Sequence, residues 1–266
     1  MAQQKSIIKL KGTLDDITFY QSDGQNLVRK KGTLTRERIL KDPGFRRTRE
    51  NMSEFGGAAY VGSQFREGIS SLVDKLGDSR VSARVTGIMR KINGAGSGKR
   101  GQRSFEMLAN KRHLERLEFN RNQSLKSVFR VKYDAPVVDA NRSVVTLTLP
   151  EFHTLDDLRY PEGATHYQLV LASTVLSDYE YDVNDQHYVA LEPDLVAHSG
   201  IQFGEVLPLE GTTGGPTELT VDLGLTEALP DTAALVNLLG IQFFQEADGE
   251  LYLLEGAQAL KIISVV

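Results

Sequence analysis

The cations of this chain stop almost completely at Arg142, and that limits both what it folds into and what it meets. Residues 1–142 hold 29 of the 31 Lys and Arg against 15 of the 35 acids, a balance of +14. Residues 143–266 hold 2 bases and 20 acids, a balance of −18, so the whole-chain value of −4 conceals two opposite halves. Ordinary soluble surfaces intersperse both signs. A division this sharp predicts a basic part that gathers polyanions through its summed field, or copies that pair basic face to acidic face. A third arrangement has the halves neutralising each other inside one subunit.

The 266 residues are 40% hydrophobic, enough for a sizeable core. No run of 18 apolar residues is present to span a bilayer, so no membrane partner is expected. The opening "MAQQKSIIKLKG" lacks the apolar stretch of a secretory signal, which points to the cytoplasm. The absence of cysteine excludes disulfides, thiol catalysis and cysteine-held metal centres.

Residues 5–31 read as β structure. Ile7, Ile8 and Leu10 form a first run, Gly12 a turn, and Ile17, Phe19 and Tyr20 a second run. Asp23-Gly24 is a hairpin signal before a return strand with Leu27 and Val28, which ends in Arg29, Lys30 and Lys31. A short helix from Thr35 stops at Pro43, since the residue before proline avoids the α region. Asn51 or Ser53 then caps a helix to about Leu76, with Phe55, Ala58, Ala59, Gly62, Phe65, Ile69, Leu72 and Leu76 as its apolar stripe. Its Gly56, Gly57, Gly62 and Gly68 each cost about 1 kcal/mol against alanine, which calls for close approach by another helix or by a second subunit.

Ser79 opens a second helix that buries Val81, Val85, Ile88, Met89 and Ile92 and displays Arg80, Arg84, Arg90 and Lys91 as a cationic strip. "NGAGSGKRGQR" follows as a flexible loop, and "NKRHLERLEFN" as a shorter helix. From about residue 124 the period changes to two, in "SVFRVKY", "RSVVTLTLPEF", "HYQLVLAST", "YEYDVND" and "HYVALEP", and "FFQEADGELYLL" holds a second Asp-Gly hairpin. The expected fold is α+β: an N-terminal β-hairpin and basic helical module over 1–123, then an acidic antiparallel β-sandwich over 124–266.

Catalytic motifs fail on inspection. "GAGSGKR" has Asn93 where a phosphate loop needs its first glycine and Arg100 where it needs Ser or Thr. The five histidines stand singly, and "DYEYDVND" lacks the glycine and closing glutamate of a calcium loop. The reading is therefore non-enzymatic, with no cofactor, no metal site and no catalytic residue.

What remains is cationic. Arg29, Lys30, Lys31, Arg46, Arg47, Arg49, Arg84, Lys99, Arg100 and Arg103 are the expected nucleic-acid contacts, rich in guanidinium forks that suit phosphate. In "DPGFRRTREN" the Pro43-Gly44 bend presents Phe45 for stacking on an unpaired base and sets the arginines just ahead of a helix N-terminus. No sequence-reading motif is present, so backbone contacts and weak sequence preference are expected.

The segments "IIKLKGTLDDITFY", "VRKKG", "DPGFRRTRENMSEFG", "RGQR" and "GIQFFQEADGELYLL" resemble a family of uncharacterised proteins from Bacteroidota genomes. That resemblance implies a bacterial cytoplasmic protein and carries over no functional residue. The expected function is a self-assembling structural protein, forming a helical or ring-like polymer that binds DNA or RNA without sequence preference. The alternative is a phage- or injection-machine-like structural subunit whose charge division serves protein–protein contacts alone.

Overall fold

A computed structural model of the chain describes residues 2–5, 7–22, 24–32 and 34–266. It divides into two compact units, Met1–Arg49 and Glu50–Val266.

In the first unit, β1 (Ala2–Gln3), β2 (Gly12–Leu14), β3 (Ile17–Ser22) and β4 (Gln25–Lys30) form an antiparallel sheet in the order β1-β4-β3-β2. The expected return strand is β4, paired with β3 from Ile17↔Lys30 to Ser22↔Gln25. Of the expected turn, Asp23 lies outside the described residues. Ile7, Ile8 and Leu10 form no strand, and their side chains are exposed. α1 (Arg36–Lys41) follows, with the Thr35 hydroxyl accepting from the Arg38 amide at 3.2 Å. None of the described residues from 2 to 49 is buried.

α2 (Arg46–Gly68) starts five residues before Asn51, because the Asp42 carboxylate accepts from the Gly44 amide at 2.8 Å and closes a 3-10 turn that leads straight into the helix. The helix breaks at Ile69, and α3 (Ser70–Leu76) continues the chain. Six of the eight expected stripe residues, Ala58, Gly62, Phe65, Ile69, Leu72 and Leu76, are buried, and Phe55 and Ala59 are not. Glu54, Gly57, Ala58, Val61, Gly62 and Phe65 face inward, while Phe55 is exposed under the Arg90 guanidinium at 6.0 Å from its ring centre.

Two of the helix glycines meet side chains and one admits a helix. A Cβ at Gly57 would lie 2.3 Å from the Tyr188 ring, and one at Gly68 2.4 Å from the Thr174 hydroxyl. At Gly62 it would stand 3.1 Å from Val85, on α4 (Val81–Ala95), which is the expected helix–helix approach.

After α4, the segment expected to be a shorter helix makes only the single turn α5 (Lys111–Leu114), and "SVFRVKY", residues 127–133, is not a strand: it begins in the last two residues of the turn α6 (Leu125–Val128), and its Phe129 makes an isolated bridge to Leu158. Ser124 decides that, its hydroxyl capping the amide of Ser127 at 3.2 Å. β5 (Val137–Val138), β6 (Val144–Leu149), the turn α7 (Thr154–Asp157), β7 (His166–Ser177), β8 (Tyr179–Asp182), β9 (His187–Ala190), β10 (Ser199–Pro208), β11 (Thr217–Asp222), β12 (Ala233–Ala247), β13 (Glu250–Leu253) and β14 (Ala259–Val265) complete the order.

The main sheet runs β10-β7-β12, and β12 then pairs β14 along its first part and β13 along its last. A second sheet, β11-β6-β5, covers one face of it. Leu169, Leu171, Leu235, Leu239 and Ile241 point from the main sheet into that sandwich, against Val145, Leu147, Leu219 and Val221. Their alternating neighbours Val170, Ala172, Ala234, Val236 and Leu238 point the other way, against Val61, Phe65, Leu72 and Met89 of the helices. β7 and β12 are thus buried on both faces, which is why "LVLASTVL" and "AALVNLLGI" are mostly apolar, their polar Ser173, Thr174 and Asn237 being buried and hydrogen-bonded. The fold is α+β, with an antiparallel sandwich whose outer face is covered by helices.

The division expected at 123/124 runs through this unit. α2, α3 and α4 share a single buried cluster with β7, β12 and β14, so the helices and the sandwich are layers of one body. Among the described residues, no helix is long and apolar enough to cross a membrane.

Candidate nucleic-acid interface

The ten expected cations fall into three environments. Arg29 and Lys30 end the exposed strand β4, beside Ile17 and Val28 in a shallow depression, and Lys31 follows them. The Arg29 guanidinium lies 5.4 Å from the Tyr20 ring centre, within cation–π distance. Lys99 is exposed in the loop after α4.

Arg46, Arg47 and Arg49 occupy the first turn of α2 rather than a position ahead of it. Arg46 and Arg47 are exposed, and Arg49 donates to the carbonyls of Ile39 and Asp42 at 2.7 and 2.9 Å and ties α1 to the turn. The Phe45 ring is half-buried and takes the Arg38 guanidinium at 5.9 Å, so the aromatic face read as a base platform already carries a cation.

Arg84, Arg100 and Arg103 are committed within the subunit. Arg84 donates to the carbonyls of Glu118 and Phe119 at 3.2 and 2.7 Å and pairs with Asp78 at 3.0 Å. Arg103 grips the buried carboxylate of Glu54 with two nitrogens, each at 2.8 Å, and Gly101 donates its amide to the same carboxylate at 2.7 Å. Arg100 donates to the Asn51 side chain at 2.9 Å. The glycine-rich loop is therefore strapped to α2 and is not a flexible clamp. Burial pushes the Glu54 carboxyl up, but the Arg103 guanidinium, the Gly101 amide and the nearby Arg100 outweigh it and hold it below the usual carboxylate range.

A further group of cations open to a ligand was not among the ten. A cavity of about 510 Å³ opens between α4 and the chain around α5, with Lys91, His113, Arg116 and Arg121 on its walls. Arg84 also lines it, pinned as described. The signal lay in "NKRHLERLEFNRN", and the fold of residues 111–121 back along α4 brings His113, Arg116 and Arg121 to Lys91. Burial and the cations Arg112, Lys91 and Arg116 hold the His113 imidazole below its ordinary value.

The acids collect elsewhere. The hairpin of β12 and β13 carries Glu246, Asp248 and Glu250, with Glu255 just beyond, and exposes Leu251, Tyr252 and Leu253 on the terminal strand of the main sheet. The pair Glu118–Lys261, at 3.5 Å, crosses the charge division with its signs reversed: the acid comes from the basic half and the base from the acidic half. It does nothing to neutralise one half with the other.

No protein-family model, curated protein or solved structure matches this chain.

Proposed function

We propose that the protein is a non-enzymatic structural protein that assembles with copies of itself and binds nucleic-acid backbone through its basic half. One observation carries this reading: the Met1–Arg49 unit buries no described residue, yet it exposes Ile7, Ile8, Leu10, Leu14, Ile17, Leu34 and Leu40. Ordering a residue's backbone costs about 1–2 kcal/mol, which a unit without a core does not recover alone. Cover from another molecule supplies what is missing.

Charge selects the cover. Met1–Arg49 holds 12 bases and 5 acids, net +7, and Glu50–Val266 holds 19 and 30, net −11. The β12–β13 hairpin offers carboxylates, exposed apolar side chains and a sheet edge together, so the partner is the basic N-terminal unit of a second copy, added edge to edge. Such a contact joins two different surfaces, and it propagates into a ring or a filament. The exposed cations of the assembly then face the nucleic acid.

A second reading keeps the assembly and drops the nucleic acid, as in a phage- or injection-machine-like subunit. It is favoured by the internal engagement of Arg49, Arg84 and Arg103. Negative-stain imaging and the 260/280 absorbance ratio, before and after nuclease, separate the two. Polymer that carries nucleic acid supports the first, and polymer free of it the second. A monomer at every concentration and salt overturns both.

A further inference from the structure

We infer that the cavity between α4 and α5 is a nucleotide site, holding one phosphate on its cations and one base on its apolar wall. The inference rests on the nucleic-acid reading above and names the place where a strand, or a free nucleotide, is held.

Three features converge there. First, Lys91 reaches the space from α4, and Arg116 and Arg121 from the segment after α5, and none of the three makes an ion pair among the described residues. Guanidinium forks joined by an ammonium match the several oxygens of a phosphate ester better than a single carboxylate does. Burial first, and then the cations Arg112, Lys91 and Arg116, hold the His113 imidazole below its ordinary value, and an entering anion relieves the field of those cations.

Second, the carboxylate on the wall does not cancel the cations. Glu118 is held by the Lys261 ammonium at 3.5 Å and by the Leu125 amide at 3.1 Å. It remains a hydrogen-bond acceptor for the amino groups of a base edge. Ile88 and the buried Leu117 supply the apolar surface on which a flat ring lies.

Third, the space is preformed and of suitable size. About 510 Å³ falls within the range of small-molecule pockets and accommodates one nucleotide. Arg84 is locked to two carbonyls and Asp78, so the α4 wall is rigid before any ligand arrives. Gly87 lies on that wall, and a Cβ built on it meets nothing within 4 Å. A Cβ at Gly87 therefore stands in open space on the cavity wall and meets no packed neighbour.

The test uses the full chain, titrated with a fluorescent ten-residue single-stranded oligonucleotide, with adenosine monophosphate and with inorganic phosphate. Wild type is expected to bind the mononucleotide at least tenfold more tightly than inorganic phosphate. Lys91→Glu with Arg116→Glu, and separately Gly87→Leu, are expected to weaken the mononucleotide at least tenfold, with circular dichroism unchanged. The Gly87 variant removes no charge, so it reports on the cavity and not on the overall field. If the oligonucleotide fails to bind but the mononucleotide binds and Gly87→Leu abolishes it, the site stands as one for free nucleotides and the nucleic-acid reading falls. Oligonucleotide binding that both variants leave intact overturns the site and spares the wider reading. Equal affinity for mononucleotide and inorganic phosphate also overturns it, since the base would then contribute nothing.

Discussion

Glu54 and Arg103 lie 49 positions apart in sequence and form a two-pronged ion pair, both nitrogen–oxygen distances 2.8 Å, with the carboxylate 3% exposed. The pair joins the buried side of α2 to the loop after α4. Breaking a buried pair by removing one partner leaves a charge without compensation, so Glu54→Ala is expected to cost about 3 kcal/mol. Urea denaturation monitored by circular dichroism reads the loss. A change within 0.5 kcal/mol would show that the loop is held by other contacts.

The same carboxylate has an acid signature. Its value is lowered in the folded state, so its contribution is present above the unfolded value of 4.5 and fades as pH falls through the lower folded one. Arg103→Gln is expected to remove that part of the acid dependence. Wild-type and variant denaturation midpoints, compared between pH 7 and pH 3, should converge at the acid end.

Asp178 behaves in the opposite sense. Burial pushes its carboxyl up to about 6, against the favourable Met107 amide, which it accepts at 2.7 Å. The folded state therefore binds the proton more tightly than the unfolded state, whose value is 3.8. Stability falls as pH rises from about 4 to about 6 on this account, and the full penalty is present above that. Asp178→Asn keeps an acceptor for Met107 and is expected to be more stable than wild type at pH 8 by on the order of 1 kcal/mol, the gain vanishing below pH 4. A gain of equal size at both pH values would point to packing and not to the charge.

Adjacent glycines on α2 should respond with opposite signs. Nothing stands within 4 Å of a Cβ at Gly56, so Gly56→Ala is expected to stabilise the helix by about 1 kcal/mol. Gly57→Ala drives a methyl into the Tyr188 ring and is expected to cost about 1–3 kcal/mol. Thermal midpoints of the two variants moving in the same direction would contradict this packing.

Arg46 and Arg47 stand in the first turn of α2, where the helix dipole disfavours cations. Replacing both by Glu is expected to raise helix stability by a few tenths of a kcal/mol per site and to lower the salt dependence of nucleic-acid binding by about two contacts. Retention of nucleic acid with an unchanged salt slope would remove them from the interface.

Much of the β architecture was legible from local pattern. Asp248 and Gly249, at φ 53° and 80°, make the hairpin turn that their dipeptide promises, because that turn needs two positive φ values whatever surrounds it. "RSVVTLTLPEF" became β6, with Val145, Leu147 and Leu149 inward, since alternation places every second residue on one face. Segments with a competing local signal were misread. Ser124 capped a helical turn in a β-branched stretch, and Asp42 started α2 early.

The charge division, the strand periods and the second hairpin turn were determined by the sequence itself, because each depends on residue identity or on neighbours a few positions away. Which cations are spent and which are open was decided only by the tertiary structure. Arg84 and Arg103 look like surface cations in sequence, but their acceptors, Phe119 and Glu54, lie 35 and 49 positions away. Arg116 and Arg121 joined Lys91 around one cavity for the same reason: a guanidinium's partner is set by where the chain returns, and no local period records that return.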